Sequence, residues 1–131
     1  MRKLFAIVLL LCPVLCFARK HAPLPDGVAT AKTVYIVNQT GQQGVTDGAY
    51  EGFSKWGLSV APKKESAALI ATFTLDHRLV QGTSHAIVEM TVSLSDSSDA
   101  AYQTSTRVGF RSWSHAAKDC VSDFKKRVDE K

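Results

Sequence analysis

From Leu69 onward the chain repeats one pattern three times: a run in which apolar and polar side chains alternate, followed by a short polar stretch. In Leu69–Leu75, the residues Leu69, Ala71, Phe73 and Leu75 share one face, and Thr72, Thr74 and then Asp76 share the other. In Ala86–Leu94, Val88, Met90, Val92 and Leu94 oppose Glu89, Thr91 and Ser93. In Tyr102–Phe110, Tyr102, Val108 and Phe110 oppose Gln103, Ser105 and Arg107. Successive side chains of a strand point to opposite faces, so a period of two marks a half-buried strand. Gln81–Ser84 and Asp96–Asp99 are the turns between the runs. Together they predict an antiparallel meander with one covered face and one wet face.

The flanking segments supply the cover. Thr33–Val37 is a strand apolar on both faces, expected to sit centrally and be buried on both sides. The loop Asn38–Gly44 leads into a helix over about Thr46–Trp56, with Val45, Ala49, Phe53 and Trp56 on one face. Thr46 or Asp47 is positioned to cap it, and Gly57 suits the left-handed position past its end. Leu58–Val60 is a short strand closed by Pro62 and the turn Lys63–Glu65. Strand, helix and strand in so short a span predict a right-handed βαβ unit. A second helix, about His115–Val128, is expected to be capped by Ser114 and carries the stripe Ala117, Cys120, Val121, Phe124 and Val128. The order β-α-β-β-β-β-α defines a two-layer α+β fold, a mixed five-stranded sheet with both helices on one face. The expected organisation is a single domain over residues 31–131, preceded by an extended arm at 19–30 that contains Pro23, Pro25 and Gly27.

The amino terminus reads as an export signal. Arg2 and Lys3 precede the apolar stretch Leu4–Phe17, and small residues lead to a cleavage point between Ala18 and Arg19. An uncleaved anchor needs about 20 apolar residues, and this stretch has 14. Lipidation needs a small residue before the modified cysteine. Leu11 precedes Cys12 and Leu15 precedes Cys16, both too large, so lipidation is not expected and Cys16 is the only serious candidate for it. Processing at Ala18 removes two of three cysteines, and leaves 14 basic against 12 acidic side chains. With only Cys120 left, the mature chain has no intramolecular disulfide, which fits a bacterial periplasm or culture medium better than a eukaryotic secretory route. A net charge of +2 does not argue for nucleic acid, and no transmembrane segment is expected after processing.

No motif fixes a reaction, and no cofactor is expected. Asp76, His77 and His85 flank one hairpin turn and are the candidate metal ligands, of the types zinc accepts. The plainer reading is a set of exposed polar residues near a hairpin tip. Cys120 with His115 suggests a thiolate–imidazole pair, but five helical residues set them on different sides and Cys120 falls on the core stripe. His115 and Asp119 have the spacing of a surface helix pair. Gly41–Gly44 lacks the glycine and lysine pattern of a phosphate loop. Asn38–Thr40 matches a glycosylation tripeptide, and also suits a strand end. Asp96–Asp99 lacks the spacing of a calcium loop. The basic clusters at Lys63–Lys64 and Lys125–Arg127 read as solvated faces.

Ala31–Gly41 followed by Lys55-Trp56-Gly57 resembles the front half of small uncharacterised secreted or periplasmic bacterial proteins. Ser66–Ile70 stands where those proteins have an Ala-Asp-rich strand start, and the Asp is missing. More distantly, the element order is similar to the amino-terminal α/β domain of the Tol–Pal protein TolB and to curli-secretion lipoprotein domains. The resemblance implies an exported, non-enzymatic binding or envelope-assembly module, with an unidentified protein or envelope component as partner. The expected contact surface is the wet sheet face, with Thr72, Thr74, Glu89, Thr91 and Arg107, or an exposed strand edge. Two other readings stand beside it. One is a small metal-dependent hydrolase using Asp76, His77 and His85. The other is a secreted inhibitor of an envelope enzyme acting through a protruding Asn38–Gly44 loop.

Overall fold

The computed structural model describes residues 23–109 and 112–130. The export signal, its Ala18–Arg19 junction, Cys12, Cys16 and Phe110 lie outside the described residues.

The elements are β1 (Thr33–Asn38), α1 (Gln43–Trp56), β2 (Ser59–Val60), β3 (Leu69–Val80), β4 (Thr83–Leu94), β5 (Tyr102–Arg107) and α2 (Trp113–Asp129), with a 3₁₀ turn at Lys64–Ser66. They form one sheet in the order β2-β1-β3-β4-β5. β1 runs parallel to both β2 and β3, and β3, β4 and β5 form the antiparallel meander. This is the α+β fold read from the sequence.

The alternation works as expected. Leu69, Ala71 and Phe73 on β3 and Val88, Met90 and Val92 on β4 are buried in one core with Val34 on β1. Val45, Ala49 and Phe53 of α1 and Ala116, Ala117, Cys120, Val121 and Phe124 of α2 close that core from above. Trp56 stacks on Phe53 and meets Phe124 edge-on, with ring centroids 6.2 and 5.3 Å away. Tyr102 joins the same cluster at 5.2 Å from Phe124.

Five local expectations are corrected. β1 has strand neighbours on both sides, but the helices cover only the face carrying Val34 and Ile36, so Tyr35 and Val37 are only partly buried. α1 starts at Gln43, and neither Thr46 nor Asp47 caps it. Asn38 takes Thr46 as a hydrogen-bond partner instead, at 2.8 Å. Ser112, not Ser114, caps α2, its hydroxyl accepting from the His115 amide at 3.2 Å. Residues 25–31 are not an extended arm. Val28 donates to Pro25 and Ala31 to Val28, and these turns drive the Val28 side chain into the core. Finally, β3 and β4 are 12 residues each and run well past the predicted Leu75 and Ala86 ends, while β5 stops at Arg107. Asp76 and Arg78 continue the polar side of the alternation onto the uncovered face, where their charges stay in solvent.

The helix pair is set by three glycines spaced four apart. Gly44, Gly48 and Gly52 line the side of α1 that meets α2. A Cβ on Gly48 would run into the backbone carbonyl of Ser114, with the Ser114 Cα only 2.8 Å away. α2 therefore lies against the bare backbone of α1, while Val45, Ala49 and Phe53 are left to face the sheet.

Candidate interaction surface

With both helices on one side, the other side of the sheet is uncovered. Strand pairing sorts its side chains into rows. Val37, Thr72, Thr91 and Gln103 form one row; Thr74, Glu89 and Ser105 the next; Asp76, Ile87 and Arg107 the third. All five residues expected to form the contact surface, Thr72, Thr74, Glu89, Thr91 and Arg107, therefore stand together on this face. Gln103 Nε2 donates to Thr91 Oγ1 at 3.3 Å. Arg78 reaches Asp76 at 3.5 Å and Glu89 at 3.2 Å. These groups remain a third to a half exposed, and such pairs add little to stability. Their effect is to hold the charged end of the face in order.

The face is not uniformly polar. Ile70 and Ile87 belong to it by register and are still buried, to 8% and 6% exposure. Tyr35 stands beside Ile70. A shallow depression next to Thr72 is bordered by Ile70, Ser93, Lys64 and the Ser95–Ser98 turn.

The face continues into a projecting hairpin. β1 accompanies β3 only as far as Phe73, and β5 accompanies β4 only to Ile87, with one further bond from Val108 N–H to the Ala86 carbonyl. From Arg78↔His85 to Val80↔Thr83 three residue pairs stand alone, a projection of about 10 Å. Gln81 and Gly82 close it with φ of 54° and 80°, the left-handed pair of a type I′ hairpin turn.

The same register separates the candidate metal ligands. Arg78, not His77, faces His85, so the two imidazoles leave from opposite faces of the ribbon. The Asp76 carboxylate is engaged by the His77 amide at 2.8 Å and by Arg78. Among the described residues, no group of three His, Cys, Asp or Glu is placed to hold a metal. The geometry that a hydrolase built on Asp76, His77 and His85 requires is therefore not formed.

Nor does Asn38–Gly44 protrude as an inhibitory loop would. Asn38 Oδ1 accepts from the Thr40 amide and hydroxyl at 2.9 and 2.6 Å, and Asn38 Nδ2 donates to the Gln42 carbonyl and Thr46 Oγ1, both at 2.8 Å. Thr40 is buried, the Gln39 amide bonds to the Phe73 carbonyl, and Gly44 already belongs to α1. The asparagine of the glycosylation tripeptide thus commits both its polar atoms to the β1–α1 connection.

Cys120 is buried, with its Sγ 3.7 Å from the Val88 carbonyl and 3.4 Å from Thr106 Oγ1. Burial pushes its thiol up to about 11. His115 Nδ1 faces Ser112 Oγ at 3.0 Å, so the imidazole serves the start of α2. At the Asp96–Asp99 turn, Ser97 donates to the Leu94 carbonyl and accepts from the Asp99 amide, as a hairpin turn should. Two features of the surface escaped sequence reading: the length of the hairpin and the open side of β1. The polar–apolar alternation running on through Asp76 and Arg78, with Gln-Gly at the turn, was the available signal for the first.

Fold and surface together define a class: a two-layer α+β domain with one sheet face open and one hairpin projecting. Among solved structures, the chain is similar to the PelC dodecamer from Paraburkholderia phytofirmans, with TM-score 0.51, 13% identity, and 84% of this chain and 95% of that chain covered. A second PelC dodecamer structure from that organism, of a leucine-to-methionine variant, gives 0.50, 14%, 82% and 95%. An uncharacterized lipoprotein B from Nitrosomonas europaea gives 0.45, 12%, 79% and 87%. At these identities the likeness to PelC is one of fold. No protein-family model matches the sequence, and no curated protein matches it.

Proposed function

We propose that this chain is an exported, non-enzymatic binding or envelope-assembly module that holds its partner on the open sheet face. One observation carries the reading: an uncovered face that gathers Thr72, Thr74, Glu89, Thr91 and Arg107 around the buried Ile70 and Ile87. Export rests on the charged, apolar and small-residue pattern of residues 1–18. The distant resemblance to TolB and curli-secretion domains supports an envelope setting.

The test is site-specific photo-crosslinking in the exporting cell. A photoreactive residue at Thr74 or Thr91 is expected to give one reproducible adduct with a protein or envelope component. The same residue at Tyr50, on α1, should give none. Equal labelling from both sides, or no adduct from the open face, overturns the proposal. Mass measurement of the mature amino terminus checks the Ala18–Arg19 junction in the same preparation.

A further inference from the structure

We propose that the free edge of β3 pairs with the same edge of a second copy of this chain, antiparallel, about a two-fold axis through His77. The edge begins where β1 ends. The Phe73 carbonyl accepts from Gln39 on the β1 side, and alternate residues of a strand present both main-chain groups to the same side. Leu75, His77 and Leu79 therefore present their main-chain groups to this edge, and among the described residues no strand pairs with it there. A strand edge of this kind is a ready template for another strand.

The sequence along the edge selects one register. An axis at Asp76 would set two carboxylates directly opposite each other. An axis at Arg78 would do the same with two guanidinium groups. Like charges directly opposite destabilise a strand pair. The axis at His77 sets Asp76 against Arg78 of the second copy, twice, and Leu75 against Leu79, twice. That pairing covers Leu79, which at 76% exposure is one of two large apolar side chains left in solvent among the described residues. In the single chain, the Asp76 carboxylate stands in for a partner strand by accepting the His77 amide. On pairing, a carbonyl of the second copy takes that amide and Asp76 is released to the facing Arg78.

The proposal is tested by sedimentation of the processed chain over a range of concentrations. Wild type is expected to dimerise. Asp76→Arg and Arg78→Asp should each weaken the dimer at least tenfold, and the double exchange Asp76→Arg/Arg78→Asp should restore it. Circular dichroism shows that each variant is folded. His77→Cys should form a disulfide-linked dimer under mild oxidation, since Cys120 is buried, and Ser105→Cys on the β5 edge should not. A wild-type chain that stays monomeric throughout overturns the proposal and leaves Asp76 as a cap that blunts the edge. So does a dimer indifferent to the charge exchange, or one cross-linked from Ser105 and not from His77. The pairing does not depend on the open face: photo-crosslinks from Thr91 report on the face, and sedimentation reports on the edge.

Discussion

At the scale of single residues, the tightest point in the molecule is where α1 has no side chain. Gly48 has the Ser114 backbone where its Cβ would be. Gly48→Ala gains about 1 kcal/mol of helix propensity but forces two helices apart, and overpacking of this kind costs about 1–3 kcal/mol or more. The variant is expected to be less stable in urea by about 2 kcal/mol. At Gly52 the added Cβ would meet the Val121 side chain at 3.2 Å, where a small adjustment suffices, so Gly52→Ala should cost less than Gly48→Ala in the same titration. Cys120 makes a second residue-level prediction. Its thiol is raised from 9.0 to about 11 by burial, so between those values the unfolded chain gives up a proton that the folded chain keeps. Its contribution is intact below pH 9 and is lost as pH rises toward 11, by about 2 kcal/mol at the upper end. Chemical unfolding at pH 8 and pH 11 should show that fall in wild type, and a smaller one in Cys120→Ala. A thiol reagent at pH 8 should label Cys120 only after unfolding.

At the scale of elements, the β1–α1 connection depends on one side chain. Asn38 makes four hydrogen bonds, to Thr40, Gln42 and Thr46 of the loop and helix start, and so ties α1, which has no side-chain cap, to the end of β1. Asn38→Ala leaves Thr40, otherwise buried, and the Gln42 carbonyl short of partners. It is expected to lower stability by about 2 kcal/mol, read from the urea midpoint. The hairpin behaves differently. Replacing Leu79–Ser84 by Asn-Gly keeps the hydrogen-bonded Arg78↔His85 pair and supplies a favoured two-residue turn. Because Leu79 and Gln81–Ser84 are exposed, the shortened protein should melt within a few degrees of wild type while losing any dimer made through the β3 edge. A large drop in melting temperature would mean that the tip supports the core, contrary to its burial.

At the scale of the whole molecule, the two layers follow from periodicity. Residues alternating at two and recurring at 3.6 can satisfy their apolar faces only by packing against each other. For that reason the strand order along the chain, the covered face of the meander, the stripe of α2 and the inert setting of Cys120 were legible before any coordinates. Tertiary structure decided what depends on pairing and register. A one-residue relation across the hairpin sends His77 and His85 to opposite faces, and no local pattern states which residue faces which. The same holds for Tyr35 and Val37. Their apolar character suggested full burial, but the helices lie on one side and the open face leaves them only partly buried. Gly44, Gly48 and Gly52 were visible as letters, yet only the approach of α2 gives them a purpose. Local composition and spacing, with the charged and apolar start of the chain, by themselves determined the class of fold and the expectation of export. The contact surface, the projecting hairpin and the free β3 edge were decided by long-range pairing. A sheet exposes whatever its neighbours fail to cover, and the lengths of those neighbours are not written in the strand itself.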